Sequence, residues 1–189
     1  MSRRELIEAT LLEYPICEYY FGTQEEMIFS DKVWQICERD CERYGHCWTC
    51  PPYCGTIEEK ISKCKEYQYF CLYSTVTETP NAWEKDANLR VKRLHDDLTL
   101  NIRDALADKL DDFYILSTGC TECKVCSCPD APCRFPEKRF FSMESHGVLV
   151  IEMLDQIGIC YNYGGDTVVY FSMILFNENE AALMDIYKN

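Results

Sequence analysis

Hydrophobic and polar positions along the chain alternate between strand-like and helix-like spacing. Residues 67–76 (Tyr67-Gln68-Tyr69-Phe70-Cys71-Leu72-Tyr73-Ser74-Thr75-Val76) are aromatic and β-branched, which predicts a buried strand. Thr79-Pro80-Asn81 then breaks the pattern, with Asn81 as the expected helix cap. From Ala82 to Leu110 the apolar residues recur at three and four: Trp83, Ala87, Val91, Leu94, Leu98, Ile102, Ala105 and Leu106 make one stripe of a long helix. Arg90, Lys92, Arg93, Asp96 and Asp97 fall off that stripe, so Lys92–Asp96 and Arg93–Asp97 are expected as i,i+4 pairs on a solvated face with His95 exposed among them.

Phe113–Ser117 reads as a second, short strand that delivers the chain to Gly119-Cys120. Ser142 is placed to cap a helix running to about Ile157, where Gly158 ends it. Asn162–Asp166 is a turn, and Thr167–Phe176 is a third strand, apolar on both faces and therefore central. Tyr14–Gly22 adds a candidate edge strand. This order predicts an α/β fold: one small sheet with helices packed on it, a single domain over residues 1–189, and two cysteine-rich loops.

Composition narrows the class. The 189 residues carry 47% hydrophobic and 27% charged side chains, a globular balance with enough chain for a sizeable core. Nineteen basic against 32 acidic residues give a net charge of −13, which repels phosphate and argues against nucleic-acid or anionic-membrane partners. The longest strongly apolar run, Val168 to Phe176, is nine residues, half the length of a membrane helix. No apolar run of signal-peptide length follows Arg3 and Arg4, so a cytoplasmic location is expected. There thiols stay reduced, and the 14 cysteines point to metal or redox chemistry in preference to disulfides.

Ten of the cysteines fall into two groups. Cys120, Cys123 and Cys126 form C-x2-C-x2-C, a spacing that wraps three thiolates around a cubane iron–sulfur cluster, with a fourth cysteine from elsewhere. Tetrahedral zinc uses pairs, so the third cysteine at the same interval is surplus to it. Cys133 is the expected fourth ligand; Cys128 follows Cys126 too closely to share one cluster easily. The other group holds Cys37, Cys41, Cys47, Cys50 and Cys54. Cys47-x2-Cys50 would equally suit a zinc knuckle, and His46 beside it is expected to be solvent-exposed.

The pattern Cys37-x3-Cys41-x2-Tyr44-Gly45-x2-Trp48-x-Cys50-Pro51-Pro52 resembles the first signature of an uncharacterised prokaryotic family of predicted metal-binding proteins. The second signature is similar to Cys120-x2-Cys123-x2-Cys126-x6-Cys133-Arg134-Phe135-Pro136, followed by Ser142-Met143-Glu144-x2-Gly147. The resemblance spans about residues 15–177 and implies metal, with Cys37, Cys41, Cys50, Cys120, Cys123, Cys126 and Cys133 as the family's cysteines. Cys47, Cys54 and Cys128 are additions of this sequence.

Arg134, Lys138 and Arg139 form the one basic knot of an acidic chain, placed either to offset cluster charge or to pair with acids such as Glu137 and Glu144. Arg134, adjacent to Cys133, is the candidate cofactor-binding cation. The isolated Cys17, Cys64, Cys71 and Cys160 read as small structural hydrophobes, and Met143 as core. No phosphate loop, dinucleotide fingerprint, zinc-protease helix or nucleophile elbow is present.

Three readings follow. In the first, the chain is a cytosolic protein with two [4Fe–4S] clusters that carries electrons for, or gives redox support to, a partner enzyme in an oxygen-poor metabolism. The second is a zinc-stapled interaction module. The third is an enzyme whose first cluster, held by three thiolates, leaves one iron open to substrate.

Overall fold

The computed structural model describes residues 1–82 and 84–179. The chain enters as helix α1 (Arg3–Leu11), whose start is closed by a reciprocal pair: Ser2 Oγ accepts from the Glu5 amide while the Glu5 carboxylate accepts from the Ser2 amide. Strand β1 (Glu18–Thr23) follows, then helix α2 (Lys32–Asp40). Helix α3 (Ile57–Cys64) opens on the same kind of box, built from Thr56 and Glu59. Strand β2 (Tyr69–Glu78), helix α4 (Lys85–Ala107) and strand β3 (Phe113–Ser117) come next. A two-residue strand β4 (Phe141–Ser142), helix α5 (Val150–Ile157) and strand β5 (Thr167–Phe176) complete the described elements.

The five strands form one sheet in the order β1-β2-β5-β3-β4. β5 lies between β2 and β3, antiparallel to both, which is the central place its two apolar faces demand. β1 takes the edge position expected for it, antiparallel to β2. β4 lies parallel to β3, with Leu116 opposite Phe141 and Ser117 opposite Ser142.

Strand alternation splits the core into two layers. Cys71, Tyr73, Ile174 and Phe176 face Ile7 and Leu11 of α1 and Ile102 and Leu106 of α4. Phe70, Leu72, Phe171, Met173 and Leu175 face the other way, onto Val150, Met153 and Leu154 of α5, Cys64 and Met143. Among the described residues no helix is long and apolar enough to cross a membrane.

Two sequence expectations are corrected. The helix foreseen from Ser142 to Ile157 is broken. Ser142 ends β4, a single 3-10 turn covers Glu144–His146, and α5 begins only at Val150. Gly147 causes the break: its φ is +74°, and a Cβ there would lie 2.9 Å from Ile57 Cδ1. The stop at Gly158, also left-handed at φ +74°, is where the sequence puts it.

The long helix is also rotated from its expected face. It starts at Lys85, one residue after Glu84 as cap instead of Asn81. Its buried positions are Ala87, Val91, His95, Asp96, Thr99, Ile102 and Leu106, while Leu94 is 62% exposed. His95 is therefore 1% exposed, not solvated, and the Lys92–Asp96 pair is sunk against the loop that follows β3. Arg93 and Asp97 form no ion pair among the described residues. Trp83, assigned to the same stripe, lies outside the described residues.

Polar sheet positions explain the rotation. Ser172 of β5 and Thr75 of β2 present hydroxyls to this face, and His95 joins them, with Nε2 2.8 Å from Ser172 Oγ and Nδ1 2.8 Å from Thr75 Oγ1. Thr99 Oγ1 accepts from the buried Tyr73 hydroxyl at 3.0 Å, and Ser172 Oγ donates to Ser117 Oγ at 2.7 Å. Burial holds His95 neutral, its pKa pushed down to about 4.

Candidate metal centre

Two loops at neighbouring ends of the sheet carry the clustered cysteines. Cys37 is on α2 and Cys41 caps it, its amide donating to the Cys37 carbonyl at 3.0 Å. Successive turns then bring Cys47, Cys50 and Cys54 round before α3: Cys50 N donates to Cys47 O at 3.0 Å, and Cys54 N to Cys50 O at 3.1 Å. Gly45, at φ +71°, makes the reversal possible, and its amide donates to the Pro51 carbonyl at 2.9 Å. The second loop runs from Thr118 to Phe140, the excursion between parallel neighbours β3 and β4.

The loops meet. One cavity is lined by Cys120, Cys123, Cys126 and Cys133 of the second group and by Cys47 of the first. Cys128, although buried, is not on its wall; Cys133, expected as the fourth ligand, lies on it. Arg134 lines the cavity with Arg43, Arg139 and Glu122, so three basic residues and one acid stand among its five cysteines, and Arg43 reaches a sulfur directly. Lys138 stays on the surface, its Nζ 4.0 Å from Glu122. His46 is exposed, as expected.

Cys47 is the hinge of this arrangement. Arg43 Nη2 donates to its sulfur at 3.3 Å, and Thr49 Oγ1 is 3.3 Å from the same sulfur. The same guanidinium nitrogen donates to the Cys120 carbonyl, and the Cys120 amide donates to Thr49 Oγ1 at 3.3 Å. The thiol of Cys50, hydrogen-bonded to Cys47, lowers the Cys47 pKa, and the Arg43 and Thr49 contacts act the same way. Cys50 moves oppositely, because its proton is the one retained. Of the pair, Cys47 is thus the thiol whose ionised form these contacts favour, the form in which a thiol binds metal.

Around Cys50 lies a second neighbourhood. Cys41 is within electrostatic reach of Cys50, and Cys37 of both Cys41 and Cys54. Arg43 reaches Cys50 and Lys60 lies near Cys54, but burial prevails: it pushes Cys54 up to about 11 and raises Cys37. Cys120 is likewise raised by burial, to about 11. A cationic centre bound at such thiols displaces their protons.

Helix α4 anchors the start of the second loop. Asp96 Oδ1 accepts from Thr118 Oγ1, and Asp96 Oδ2 from Thr121 Oγ1, both at 2.8 Å. Lys92 Nζ bridges Asp96 Oδ2 at 2.7 Å and the Gly119 carbonyl at 2.6 Å. Cys120 is therefore held from both sides, by Arg43 and Thr49 from the first loop and by this buried pair through its flanking residues. The indole of Trp48 adds another tie, Nε1 donating to the Ala131 carbonyl at 3.1 Å.

Among the described residues no three Cys, His, Asp or Glu side chains converge closely enough to hold a single ion.

The family described as Predicted metal-binding protein (DUF2284) matches residues 23–176. The chain belongs to this family. The match takes in both cysteine loops and four of the five strands completely, so family membership and the meeting of the two loops describe one unit. No curated protein and no solved structure matches the chain.

Sequence reasoning missed Arg43, Thr49, Lys92 and Asp96. Only the Lys92–Asp96 spacing carried a signal, and it was assigned to the wrong face. Two isolated cysteines also depart from expectation: Cys64 and Cys71 are buried, but Cys17 and Cys160 are exposed and so fill no core space.

Proposed function

We propose that this metal-binding protein holds two iron–sulfur clusters of the [4Fe–4S] type and serves one-electron transfer to or from a protein partner in the cytoplasm. The observation that carries this reading is the cavity shared by Cys47, Cys120, Cys123, Cys126 and Cys133 and lined as well by Arg43, Arg134 and Arg139. Four thiolates around a cubane leave a net negative group, and guanidinium donors beside it favour the reduced state. Cys37, Cys41, Cys50 and Cys54 supply the other centre. A bound cluster supplies the electron. The chain supplies thiolates, balances their charge through arginines and shields the site with Trp48 and Phe135 on the same cavity wall.

Cys47 belongs with the second loop in this assignment, although the sequence groups it with the first. An acidic surface, at a net charge of −13, favours a basic protein partner over nucleic acid or anionic lipid.

The test is metal and sulfide analysis with EPR on protein purified without oxygen. About eight irons with matching sulfide are expected. Cys47→Ser should then alter the signal and potential of one centre, and Cys54→Ser those of the other. A colourless protein with zinc in both loops overturns the redox reading in favour of a zinc-stapled module. Loss of one centre's signal on adding small ligands, with iron content unchanged, would mark an open iron and hence an enzyme.

A further inference from the structure

We propose that Cys17 and Cys160 are a reactive dithiol that closes to an intramolecular disulfide by exchange with a low-molecular-weight disulfide. The bond ties the start of β1 to the connection between α5 and β5. Neither cysteine belongs to the two cysteine loops or lines their shared cavity, so the pair stands apart from the metal reading.

Four cysteines lie outside the loops, and the fold sorts them into two kinds. Cys64 and Cys71 are 0% exposed; burial pushes the Cys64 pKa up to about 12 and that of Cys71 well above the ordinary thiol value. Such thiols are inert to exchange, which needs a thiolate that solvent reaches. Cys17 and Cys160 are exposed and belong to neither core layer. Both sulfurs are open to a small disulfide in solution.

Two distant chain segments bring the pair to one row of the sheet. Glu18 of β1 lies opposite Ser74 of β2, and Ser74 opposite Phe171 of β5. Cys17 precedes Glu18, and its amide donates to the Ser74 carbonyl at 2.8 Å, which fixes its backbone at one end of that row. At the other end Tyr161, the chain neighbour of Cys160, stacks on Phe171 with centroids 6.0 Å apart and planes within 12°. Two strand spacings, about 10 Å, separate the ends. Tyr163 spans the gap: its hydroxyl donates to the Glu18 carboxylate and lies within electrostatic reach of both sulfurs. The Cys160 thiol donates to the Asn162 carbonyl at 3.0 Å, so it lies against the residue before Tyr163.

A disulfide needs Cα atoms about 4.4–6.8 Å apart, so the connection must swing toward β1. Gly158 and Gly164, at φ +74° and +119°, flank Cys160 and give it that freedom; at both, and at Gly165, no atom stands within 4 Å of a Cβ position.

With oxidised glutathione as the disulfide, one thiolate of the pair attacks a glutathione sulfur. The glutathione S–S bond breaks, one glutathione leaves as thiolate, and a mixed disulfide forms. The other thiolate then attacks the protein sulfur of that mixed disulfide, which releases the second glutathione and makes the Cys17–Cys160 bond. Both thiol protons end on the released glutathiones. The protein gives up one electron pair, and the glutathione disulfide takes it.

The experiment treats the anaerobically purified, metal-loaded full chain with oxidised glutathione, then maps its peptides without reduction by mass spectrometry while metal content is followed. The expected product is a single chain with a Cys17–Cys160 bridge, no retained glutathione and unchanged metal. Cys17→Ser and Cys160→Ser, both at exposed positions, should each trap one glutathione on the remaining thiol, because the second step has lost its attacker. Oxidation should raise the urea midpoint of the wild type, dithiothreitol should lower it again, and neither serine variant should show the shift. Glutathione retained on both thiols of the wild type, a bridge between two chains, or pairing of either cysteine with a loop cysteine overturns the proposal. So does no reaction at either thiol.

Discussion

Asp96 and its partners concentrate more consequence than any other side chain outside the cysteines. Its carboxylate, with a side chain 9% exposed, accepts from Lys92, Thr118 and Thr121 together. Removing it leaves the Lys92 ammonium, 13% exposed, without its counter-charge. Asp96→Ala should therefore cost about 3–5 kcal/mol in urea unfolding. A paired Lys92→Met/Asp96→Leu replacement should cost much less, since no buried charge remains. The same Asp96→Ala protein should bind less metal at the second loop, because Thr118 and Thr121 flank Cys120.

Histidine gives a second prediction at this scale. His95 and His146 are both fully packed, and burial lowers their pKa values to about 4 and about 3. His146 Nε2 meets the Tyr114 hydroxyl at 3.0 Å, while Nδ1 is 3.1 Å from Ser145 Oγ. The folded chain thus refuses a proton that the unfolded chain accepts below its own histidine pKa of about 6.5. Stability from these groups is complete above that pH and falls as pH drops from about 6.5 towards 4 for His95 and towards 3 for His146. Denaturant titrations between pH 7.5 and 5 should show that fall. His95→Gln should lower stability at pH 7.5 but flatten the slope.

At the scale of elements, Gly147 is the test. An alanine there must adopt a left-handed φ and press its methyl toward Ile57 and Ile61, so Gly147→Ala should cost about 1–3 kcal/mol by urea unfolding. Gly158, also left-handed but with open space around it, should tolerate alanine with a smaller loss. The two glycines explain what could be read from sequence. Gly158 follows an apolar run and reads as a stop; Gly147 precedes one, inside the helix the sequence predicts, where a contact from distant α3 decides, and no local pattern announces it. The three principal strands and the central place of β5 were legible because one face or both needed burial. The face of α4 was not, because Ser172 and Thr75 make a polar strip that only a histidine and a threonine on the helix can satisfy. The cysteine spacing carried Cys120, Cys123, Cys126 and Cys133 to one cavity, but Cys47 crosses between groups through contacts that spacing does not encode.

For the whole molecule, the loops are the least self-sufficient part. The core layers are built by the sheet with α1, α3, α4 and α5, whereas the cysteine loops contribute few residues to either cluster. Metal bound there should act as their core. Stripping the metal anaerobically should leave the far-ultraviolet spectrum largely intact. It should expose residues 41–55 and 118–140 to limited proteolysis, both at once, while the strands stay protected.

That simultaneity follows from Arg43. One guanidinium nitrogen addresses a sulfur in the first loop and a carbonyl in the second, so neither loop can reach its final course before the other arrives. On the proposed two-cluster reading, assembly then runs as a single event with two cargoes. During reconstitution with limiting iron and sulfide, that reading expects molecules empty or full, with the half-filled form scarce in native mass spectra at every intermediate dose.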